Sequence, residues 1–553
     1  MGFAYPKFEF RAPTELGAKA PSHHPIAIIG AGPVGLSLAI DLASRGQACV
    51  LFDDDDTVSI GSRGLCYAKR TLEIWDRLGC AVPMVDKGVT WQVGKVFFGD
   101  RQVYAFDLLP EGGHRFPAFI NLQQYHLENF LVERAQALPN IDLRFKSKVA
   151  AIVPRGDGVA LTIETPQGTY AVEADWVVAC DGARSPTRRA LGLDFKGRVF
   201  EDRFLIADVR MTADFPTERW FWFEPPFHSG GSTLLHKQPD DIWRIDFQLG
   251  WGADPEEEKK PERVIPRIQR MLGKDAEFEL DWVSVYTFQC RRLERFRHGR
   301  VLFAGDAAHQ VSPFGARGAN SGVQDADNLG WKLAAVAAGH APEALLDSYD
   351  SERAEAADEN ILNSTRATDF ITPKNAASRR LRDAVLDLAA HQPFARRLVN
   401  SGRLSLPTAH KGSPLSSPDT GAFAGGVAAG SPALDAPLAL DGKPIWLLDL
   451  LKGGFSALFF AGDSVAAHLA DDLARLADGP APIHATIVAR RAPAGALKVK
   501  VALDEAGTAS ARYDAAPGTF VLFRPDQHVC WRARGFDPAA TKRALARALG
   551  KPA

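Results

Sequence analysis

A glycine-rich turn between a strand and a helix near the N-terminus constrains this chain more than any other feature. An apolar run at residues 26–29 ends at Gly30, and a helical pattern covers residues 33–45. A second buried strand at residues 48–52 then ends in Asp53. Two neighbouring strands connected through a helix require a parallel sheet, whereas antiparallel neighbours can be joined by a short hairpin. The sequence therefore predicts a βαβ unit here.

This turn has the GxGxxG pattern of dinucleotide-binding folds. Its first glycine allows a tight turn, the second lets a pyrophosphate approach the backbone, and the third lets helix and strand pack closely. The helix N-terminus adds amide donors and partial positive charge. Asp53 lies 18 residues after the last glycine, at a strand end where a carboxylate can accept from a ribose hydroxyl. The predicted dinucleotide contacts are Gly30, Gly32, Pro33, Val34, Gly35 and Asp53.

Two later motifs separate a flavin dinucleotide from NAD. The apolar strand at residues 176–180 runs into Asp181-Gly182, and Gly305-Asp306 ends another apolar strand. The ribityl chain of a flavin needs a hydroxyl acceptor, which Asp306 can supply. The loop at residues 313–320 precedes a helix, and its glycines permit close backbone approach to a flavin ring.

These fingerprints occur in the order GxGxxG, DG and GD. The chain thereby resembles the group A flavoprotein aromatic hydroxylases, the para-hydroxybenzoate hydroxylase and phenol hydroxylase superfamily, most clearly over residues 25–365. Within that superfamily, the sequence most resembles the 3-(3-hydroxyphenyl)propionate hydroxylase-like branch. The segments 517–519 (PGT) and 524–529 (RPDQHV) resemble the thioredoxin-like C-terminal domain of the longer members. Because that domain has no CxxC pair here, no redox role is expected.

The resemblance implies an α/β fold with a Rossmann-like FAD-binding domain, an inserted antiparallel-sheet substrate domain and a thioredoxin-like C-terminal domain. Aromatic-rich short runs between residues 200 and 294 agree with the inserted sheet. The expected boundaries are 1–24 for a leader, 25–95, 119–200 and 295–365 for the FAD-binding domain, 96–118 and 201–294 for the substrate domain, 366–434 for a helical segment and linker, and 435–553 for the C-terminal domain.

The resemblance also assigns cofactor contacts residue by residue. Arg63 corresponds to the family's flavin-contacting arginine, and Gln124 to its flavin-binding glutamine. Asp181 is linked to both FAD and NAD(P)H, and Asp306 is the ribityl ligand. Ala316-Arg317 replaces the usual Gly-Gln pair and is expected to place a cation near the flavin ring. The flavin loop supplies the remaining expected residues, which are Pro313 at the reactive edge and the contacts Gly318, Ala319 and Asn320.

The inserted sheet should supply the substrate pocket. His236 or Tyr286 is expected to accept or relay a phenol proton. Arg244 is expected to pair with a substrate carboxylate. Strand register cannot be read from sequence, so each of these also fits a purely structural place in the sheet. The full set of substrate candidates is Trp222, His236, Arg244, Gln248 and Tyr286.

The implied activity is that of an FAD-dependent monooxygenase. It hydroxylates a phenolic aromatic compound with O2 and NADH or NADPH, through a flavin C4a-hydroperoxide. The sequence has no second strand–GxGxxG–helix unit, so NAD(P)H is expected to bind transiently. A small phenol with an acidic side chain is the expected substrate; a neutral phenol or a larger polycyclic compound is the alternative. A ligand-sequestering flavoprotein without turnover, or another flavin oxidase on this fold, is the alternative function.

Composition excludes several other classes of protein. The formal net charge of −2 and the lack of a long basic run give no footprint for nucleic acid. No apolar stretch approaches the roughly 20 residues of a membrane span, and the N-terminus has no apolar signal segment. The six cysteines are isolated, so no metal site is expected, and a reduced cytoplasmic setting fits best. A homodimer is the candidate assembly.

Overall fold

The computed structural model describes residues 3–399, 404–462, 464–479, 481–493 and 497–552. Its strands are β1 (Ser22–Ile29), β2 (Cys49–Phe52), β3 (Cys66–Ala68), β4 (Val89–Trp91), β5 (Val93–Phe98), β6 (Arg101–Asp107), β7 (Phe119–Asn121), β8 (Ile141–Arg144), β9 (Lys148–Pro154), β10 (Val159–Thr165), β11 (Gly168–Ala179), β12 (Lys196–Arg210), β13 (Arg219–Phe223), β14 (Ser232–Lys237), β15 (Ile242–Leu249), β16 (Glu279–Arg292), β17 (Arg297–His298), β18 (Val301–Phe303), β19 (His309–Gln310), β20 (Pro437–Leu440), β21 (Lys443–Trp446), β22 (Phe455–Phe460), β23 (Ile483–Ala489), β24 (Lys500–Leu503), β25 (Phe520–Phe523) and β26 (Val529–Ala533). Its helices are α1 (Pro33–Ser44), α2 (Lys69–Arg77), α3 (Ala81–Lys87), α4 (Gln124–Gln136), α5 (Pro186–Ala190), α6 (Pro255–Glu258), α7 (Pro261–Leu272), α8 (Gly318–Ala337), α9 (Asp347–Ile371), α10 (Ala376–His391), α11 (Pro393–Arg396), α12 (Ala467–Ala474), α13 (Thr508–Arg512) and α14 (Pro538–Ala548).

The N-terminal half is organised around a mostly parallel sheet with the order β17-β18-β11-β1-β2-β8. The predicted βαβ unit is confirmed, since β1 pairs in parallel with β2 and α1 connects them. Strands buried on both faces read as unbroken apolar runs, which explains the sequence at residues 26–29 and 49–52. The strand β1 begins at Ser22, three residues inside the segment expected to be a leader.

A second sheet, with the order β19-β16-β12-β15-β14-β13-β5-β6, is antiparallel except where β13 meets β5. Alternate residues of its strands point to opposite faces. One face packs against α7, where Val264 and Ile268 join Trp243, Ile245 and Phe247 in a buried cluster. The opposite face is covered by α10 at one end and turns toward the parallel sheet at the other. This register decides which polar residues can reach a ligand held between the sheets.

The C-terminal region forms a mixed sheet with the order β21-β20-β24-β23-β22-β25-β26. The strands β22, β23 and β24 are parallel, and β25 and β26 extend the sheet in antiparallel fashion. Part of the expected linker belongs to this region. The amide of Ser417 donates to Cys530, and the amide of Gly430 donates to Val529, at 2.8 and 2.7 Å. Residues 417–430 therefore run beside β26.

Buried ion pairs attach the C-terminal region to helices α8 and α9. The Arg524 guanidinium donates to both carboxylate oxygens of Glu352, at 2.5 and 3.0 Å, and both residues are 1% exposed. Lys332 on α8 donates to the same carboxylate at 2.7 Å. Arg70 on α2 donates to the backbone oxygen of Asp526 at 2.8 Å. These desolvated contacts make the C-terminal region an integral part of the structure.

Replacing Arg524 with Leu tests this attachment. The substitution leaves Glu352 with Lys332 as its remaining cation, and removing one partner of a buried pair costs about 3–5 kcal/mol. We expect the free energy of unfolding to fall by that amount in urea denaturation. The matched control is Arg543→Leu on α14, where the side chain is exposed and stability should change by less than about 0.5 kcal/mol. Equal stability of the two variants would contradict a structural role for the ion pair.

Candidate active site

The glycines of the turn after β1 serve different purposes. Gly30 has φ +103°, and a Cβ there would lie 2.6 Å from the carbonyl oxygen of Cys180. A Cβ on Gly35 would lie 2.0 Å from the carbonyl oxygen of Gly30. Both positions are therefore closed by the protein itself. Gly32 has φ −75° and would place a Cβ in open space, with no atom within 4 Å. The open side of the turn is where a ligand phosphate can approach.

Two further residues of this turn shape it without reaching outward. Pro33 occupies the first position of α1, where its missing amide hydrogen costs nothing. The Val34 side chain packs so closely that a Cβ on Gly305 or Gly322 would lie 2.9 or 2.8 Å from it. The turn after β1 and the GD motif are thus in direct contact, as a shared cofactor site requires.

Asp53 is the second-strand carboxylate. Its Oδ2 accepts from the amide of Ala31 at 2.5 Å, and its Oδ1 accepts from the amide of Asp55 at 2.9 Å. Burial raises the pKa of Asp53, while the hydrogen bond from Ala31 lowers it. Asp53 therefore braces the glycine turn, and its predicted contact with a ribose remains a prediction.

The aspartates of the two later motifs have carboxylate oxygens that can still accept hydrogen bonds from a ligand. Asp181 Oδ2 accepts from the amide of Thr187 at 3.0 Å, whereas its buried Oδ1 has no partner among the described residues. The Asp306 side chain is exposed, yet desolvation raises its pKa, opposed by His309 and supported by nearby Asp325. Asp306, on the side of the parallel sheet, lies near Tyr286 of the second sheet, and the space between these two residues is called the cleft below.

The GD motif is held from behind by Asp325 on α8. Its carboxylate accepts from the amide of Gly305 at 2.9 Å, from His309 Nε2 at 2.6 Å and from Arg353 Nε at 2.6 Å. Burial would raise the pKa of Asp325, but the charges of His309 and Arg353 hold it below its usual range. His309 is therefore a structural residue, and the network fixes the position of Asp306.

Arg63 and Gln124 lie beside the same cleft. The Arg63 side chain is exposed and close enough to Tyr286 to lower the pKa of that phenol. Gln124 Oε1 accepts from the amide of Gly64 at 2.7 Å, and its Nε2 donates to Glu128 at 2.7 Å. Gln124 thus shapes the loop that presents Arg63. The flavin contacts of both residues remain predictions.

The loop before α8 contains the arginine that is expected to lie near the flavin ring. Arg317 is buried and donates to Asn360 Oδ1 on α9 at 3.3 Å, so its guanidinium points into the protein. This internal contact gives no support to the expected cation beside the flavin ring, which stays a prediction; the preceding residue, Ala316, has φ +51°. Pro313 is exposed at the start of the loop, where the prediction placed it.

The first turn of α8 divides its roles in a similar way. Gly318 and Ala319 are partly accessible at the helix N-terminus, where free amides can face an anion or a ring edge. Asn320 is buried, and its Nδ2 donates to the carbonyl oxygens of Cys66 and Ala316 at 2.9 and 2.6 Å. Its Oδ1 accepts from the amide of Ala68 at 2.8 Å. Asn320 therefore holds β3 against the loop.

The second sheet brings four of the five substrate candidates to the face that looks toward the parallel sheet. His236 is registered opposite Arg244, while Gln248 and Tyr286 are both registered opposite Phe204. Trp222 is registered opposite Thr233 and hence beside Phe247, on the face that packs against α7. Trp222 is buried there and stacks on Phe97 with ring centroids 5.1 Å apart, so the structure gives its assignment to the substrate pocket no support.

Two of these four candidates have internal partners. Arg244 donates to both oxygens of Asp208, at 2.7 and 2.9 Å, and also to the backbone oxygen of Ser62. Gln248 Oε1 accepts from the amide of Ser232 at 3.0 Å. Arg244 is already neutralised, so recognition of a substrate carboxylate by this residue stays a prediction without structural support.

His236 and Tyr286 each have a polar atom that remains available to a ligand. His236 is 3% exposed, and its Nδ1 lies 3.8 Å from Cys66 Sγ while its Nε2 has no partner among the described residues. Burial and the charges of Arg219 and Arg244 lower the pKa of His236 well below its usual value. Tyr286 is 36% exposed; desolvation raises its pKa, and Asp306 nearby adds to that effect.

Sequence reasoning missed Arg219 and Asp246, which share this face. Asp246 is registered opposite Leu234, which is opposite Phe221, and Arg219 lies two residues before Phe221 on the same strand. The alternation at residues 242–247 was a signal that Arg244 and Asp246 share a face. Nothing in the sequence showed which face meets the cofactor.

The residues around the cleft fit FAD. The open side of Gly32 admits a pyrophosphate, and Asp306 and the free Oδ1 of Asp181 can accept hydroxyl or amide hydrogens. Among the described residues, no group of three or more His, Cys, Asp or Glu side chains is arranged to hold a metal ion. The described helices also include none with the length and apolar character needed to cross a membrane.

Comparison with known families agrees with this geometry. The family described as FAD binding domain matches residues 23–364. The family described as aromatic-ring hydroxylase, C-terminal, matches residues 427–552. The chain belongs to the FAD-dependent aromatic-ring hydroxylases. It is a flavoprotein enzyme with FAD as its cofactor, and the predicted resemblance is confirmed.

Individual relatives cover most of the hydroxylase. It is 34% identical over 538 residues to 6-methylpretetramide 4-monooxygenase of Streptomyces rimosus, covering 91% of this chain and 90% of that protein. The 3-(3-hydroxy-phenyl)propionate/3-hydroxycinnamic acid hydroxylase of Mycolicibacterium smegmatis is 29% identical over 435 residues, covering 78% and 76%. The structure of the flavin-dependent monooxygenase PieE with FAD and substrate shares the fold, with a TM-score of 0.81 at 22% identity over 96% of this chain and 100% of that one.

Replacing single glycines should separate folding from cofactor binding. Gly32→Ala meets no atom of the protein, so we expect an unchanged melting temperature for the apoprotein, but FAD affinity lowered roughly tenfold or more, or about 1.4 kcal/mol. Gly35→Ala forces helix and strand apart and should destabilise the apoprotein by about 1–3 kcal/mol. Calorimetry and flavin fluorescence titration measure the two effects. The division of roles is refuted if Gly32→Ala binds FAD like the parent.

Asp306→Ala should weaken FAD retention without unfolding the protein. Loss of a hydrogen bond to a charged group costs roughly 1.5–3 kcal/mol, which corresponds to a dissociation constant raised about 10- to 150-fold. Dialysis followed by fluorimetric FAD analysis measures the loss, and circular dichroism checks the fold. Asp194→Ala, at an exposed position, is the matched control and should retain FAD like the parent. Equal retention by both variants would show that Asp306 is not a cofactor ligand.

Proposed function

We propose that the hydroxylase transfers one atom of O2 to a phenolic aromatic ring, with NADH or NADPH as the electron donor. The observation that carries this proposal is the cleft between the two sheets. Asp306, which is predicted to face the flavin, and Tyr286 of the second sheet lie close enough to influence one another electrostatically. A ring bound against the second sheet would therefore meet the flavin edge.

The predicted cofactor contacts, among them Gly32, Asp181 and Asp306, would hold FAD, which would supply hydride acceptance from NAD(P)H and activation of O2. The hydroperoxide route implied by the resemblance is part of this proposal. The chain's own residues exclude water and orient the ring, so no nucleophile or metal is needed from the protein. The expected domain roles are proposed with it: the second sheet is the substrate domain, and the C-terminal region is thioredoxin-like without redox function.

The substrate is proposed to be recognised through its phenol hydroxyl. His236 with its free Nε2 and the accessible Tyr286 support hydroxyl recognition. Arg244 gives no support to recognition of an acid, since Asp208 and Ser62 already occupy it. The substrates in the names of the relatives range in size from a hydroxyphenylpropionate to 6-methylpretetramide. Both a small phenol and a polycyclic phenol therefore fit the proposal.

Substrate-dependent turnover tests the proposal. The purified protein should be yellow, and a phenol should accelerate NAD(P)H oxidation with formation of a product that contains one added oxygen atom. NAD(P)H consumption, hydrogen peroxide formation and product mass are measured together, with Gly32→Ala as a cofactor-deficient control. Binding of phenols without NAD(P)H consumption would favour a sequestering flavoprotein. Peroxide formed without NAD(P)H would favour an oxidase.

A further inference from the structure

Asp246 on β15 is a desolvated carboxylate that has no hydrogen-bond partner among the described residues. Its Oδ1 is buried and accepts no hydrogen bond from any described residue, although the side chain as a whole is partly accessible. Burying an ionised carboxylate without hydrogen bonds is costly, so structural residues in this position are normally satisfied by neighbours. Asp208, one strand away, shows the satisfied case, because Arg244 binds it with two hydrogen bonds. Asp246 thus has capacity for an external partner.

Arg219 on β13 is the complementary cation. Among the described residues it makes no hydrogen bond and no ion pair, and its guanidinium lies 6.0 Å from the ring centroid of Trp91. Its charge nevertheless lowers the pKa of both Asp246 and His236, which places it near them. No guanidinium nitrogen of Arg219 lies within 4.0 Å of an oxygen of Asp246. Arg219 and Asp246 therefore lie on the same face of the sheet, two strands apart, and neither has an ion-pair partner among the described residues.

We propose, on the basis of the hydroxylase function above, that Arg219 and Asp246 bind one substrate hydroxyl between them and that Asp246 accepts its proton during oxygen transfer. A hydroxyl suits this gap because its hydrogen can be donated to Asp246 while its oxygen accepts from Arg219. A carboxylate would be repelled by Asp246, and an amine by Arg219. The uncharged His236, with its free Nε2, lies on the neighbouring strand and completes the polar wall.

The proton transfer balances with the reaction. As the ring carbon ortho or para to the hydroxyl bonds to oxygen, the phenol O–H bond breaks and its electron pair forms a ring carbonyl. The proton goes to Asp246, and Arg219 stabilises the negative charge that develops on the phenol oxygen. Loss of the hydrogen on the attacked carbon then restores the aromatic ring. The transferred oxygen comes from O2, the second oxygen atom leaves as water, and NAD(P)H supplies the two electrons.

The groups around Asp246 suit it to act as a base near neutral pH. Burial raises the pKa of Asp246 to about 6; Asp208 adds to this, while Arg244 and Arg219 oppose it. His236 on the neighbouring strand β14 and Cys66, whose pKa Asp246 raises, are further titratable groups nearby, and burial shifts each toward its neutral form. A catalytic base is most effective when its pKa lies near the working pH.

The test compares Asp246→Asn and Arg219→Gln with the parent holoenzyme. The probes are 3-(3-hydroxyphenyl)propionate, resorcinol and 6-methylpretetramide, each with its O-methylated analogue. The matched control is Asp281→Asn, which changes an exposed carboxylate on β16 of the same sheet. FAD content and circular dichroism confirm that each variant is assembled. Turnover, its pH profile and the flavin difference spectrum on ligand binding are measured.

For a phenol that the parent converts, Asp246→Asn should lower kcat by roughly 10²- to 10⁴-fold, with little change in KM. The decline in kcat/KM below about pH 6 in the parent should disappear in this variant. Arg219→Gln should weaken phenol binding, and both variants should lose the preference for a phenol over its methyl ether. Asp281→Asn should behave like the parent. Parent-like kcat and an unchanged acid limb in Asp246→Asn would overturn the proposal.

Difference spectra measure phenol binding without turnover, so failure of the hydroxyl site can be distinguished from failure of the proposed hydroxylase function. If the parent converts none of the probes, the hydroxylase assignment fails for them, and binding then decides the hydroxyl site. A spectral shift that the parent shows with a phenol but not with its methyl ether, and that is weakened in Arg219→Gln, supports the site. Equal binding of phenol and ether by the parent, or no binding of any probe, refutes it.

Discussion

The buried carboxylate of Asp325 is the contact on which the cofactor side of the molecule depends. This carboxylate is hydrogen-bonded to the amide of Gly305 after β18, to His309 of the short strand β19, and to Arg353 of helix α9. Arg353 and His309 are cations or donors that would otherwise be buried without a partner, so the three contacts stabilise one another. Asp306 projects into the cleft because its neighbours on both sides are fixed in this way. The predicted cofactor ligand Asp306 is thus positioned by residues that are buried behind it.

The sequence was informative where a function depends on local backbone geometry. The turn at Gly30, Gly32 and Gly35 was predictable because its spacing, its flanking strand and its helix must all coincide. The order of the later DG and GD motifs then indicated a flavin fold. In each case the decisive interactions join residues close in sequence, or backbone groups whose positions follow from parallel pairing. The helix and strand pattern of residues 26–53 therefore reproduced the structure almost without change.

The substrate side was less predictable, because strand register and long-range partners decide it. Trp222 looked like a pocket residue but lies on the face against α7. Arg244 looked like an anion receptor, and the residue that occupies it, Asp208, is on another strand. Arg317 turns inward to Asn360, 43 residues away. A one-residue change of register reverses every side chain of a strand, so these outcomes required coordinates.

The contacts of the adjacent residues Glu352 and Arg353 determine when different parts of the protein become stable during synthesis. Arg353 completes the network behind the GD motif, while Glu352 binds Arg524, 172 residues further along the chain. Domains emerging from the ribosome generally fold in order from the N-terminus. Here helix α9 is finished long before the strand region that contains Arg524 is synthesised. Until then Lys332 is the one cation paired with Glu352 among the described residues, so the cofactor domain gains the stabilising contact with Arg524 only after that later segment has been synthesised.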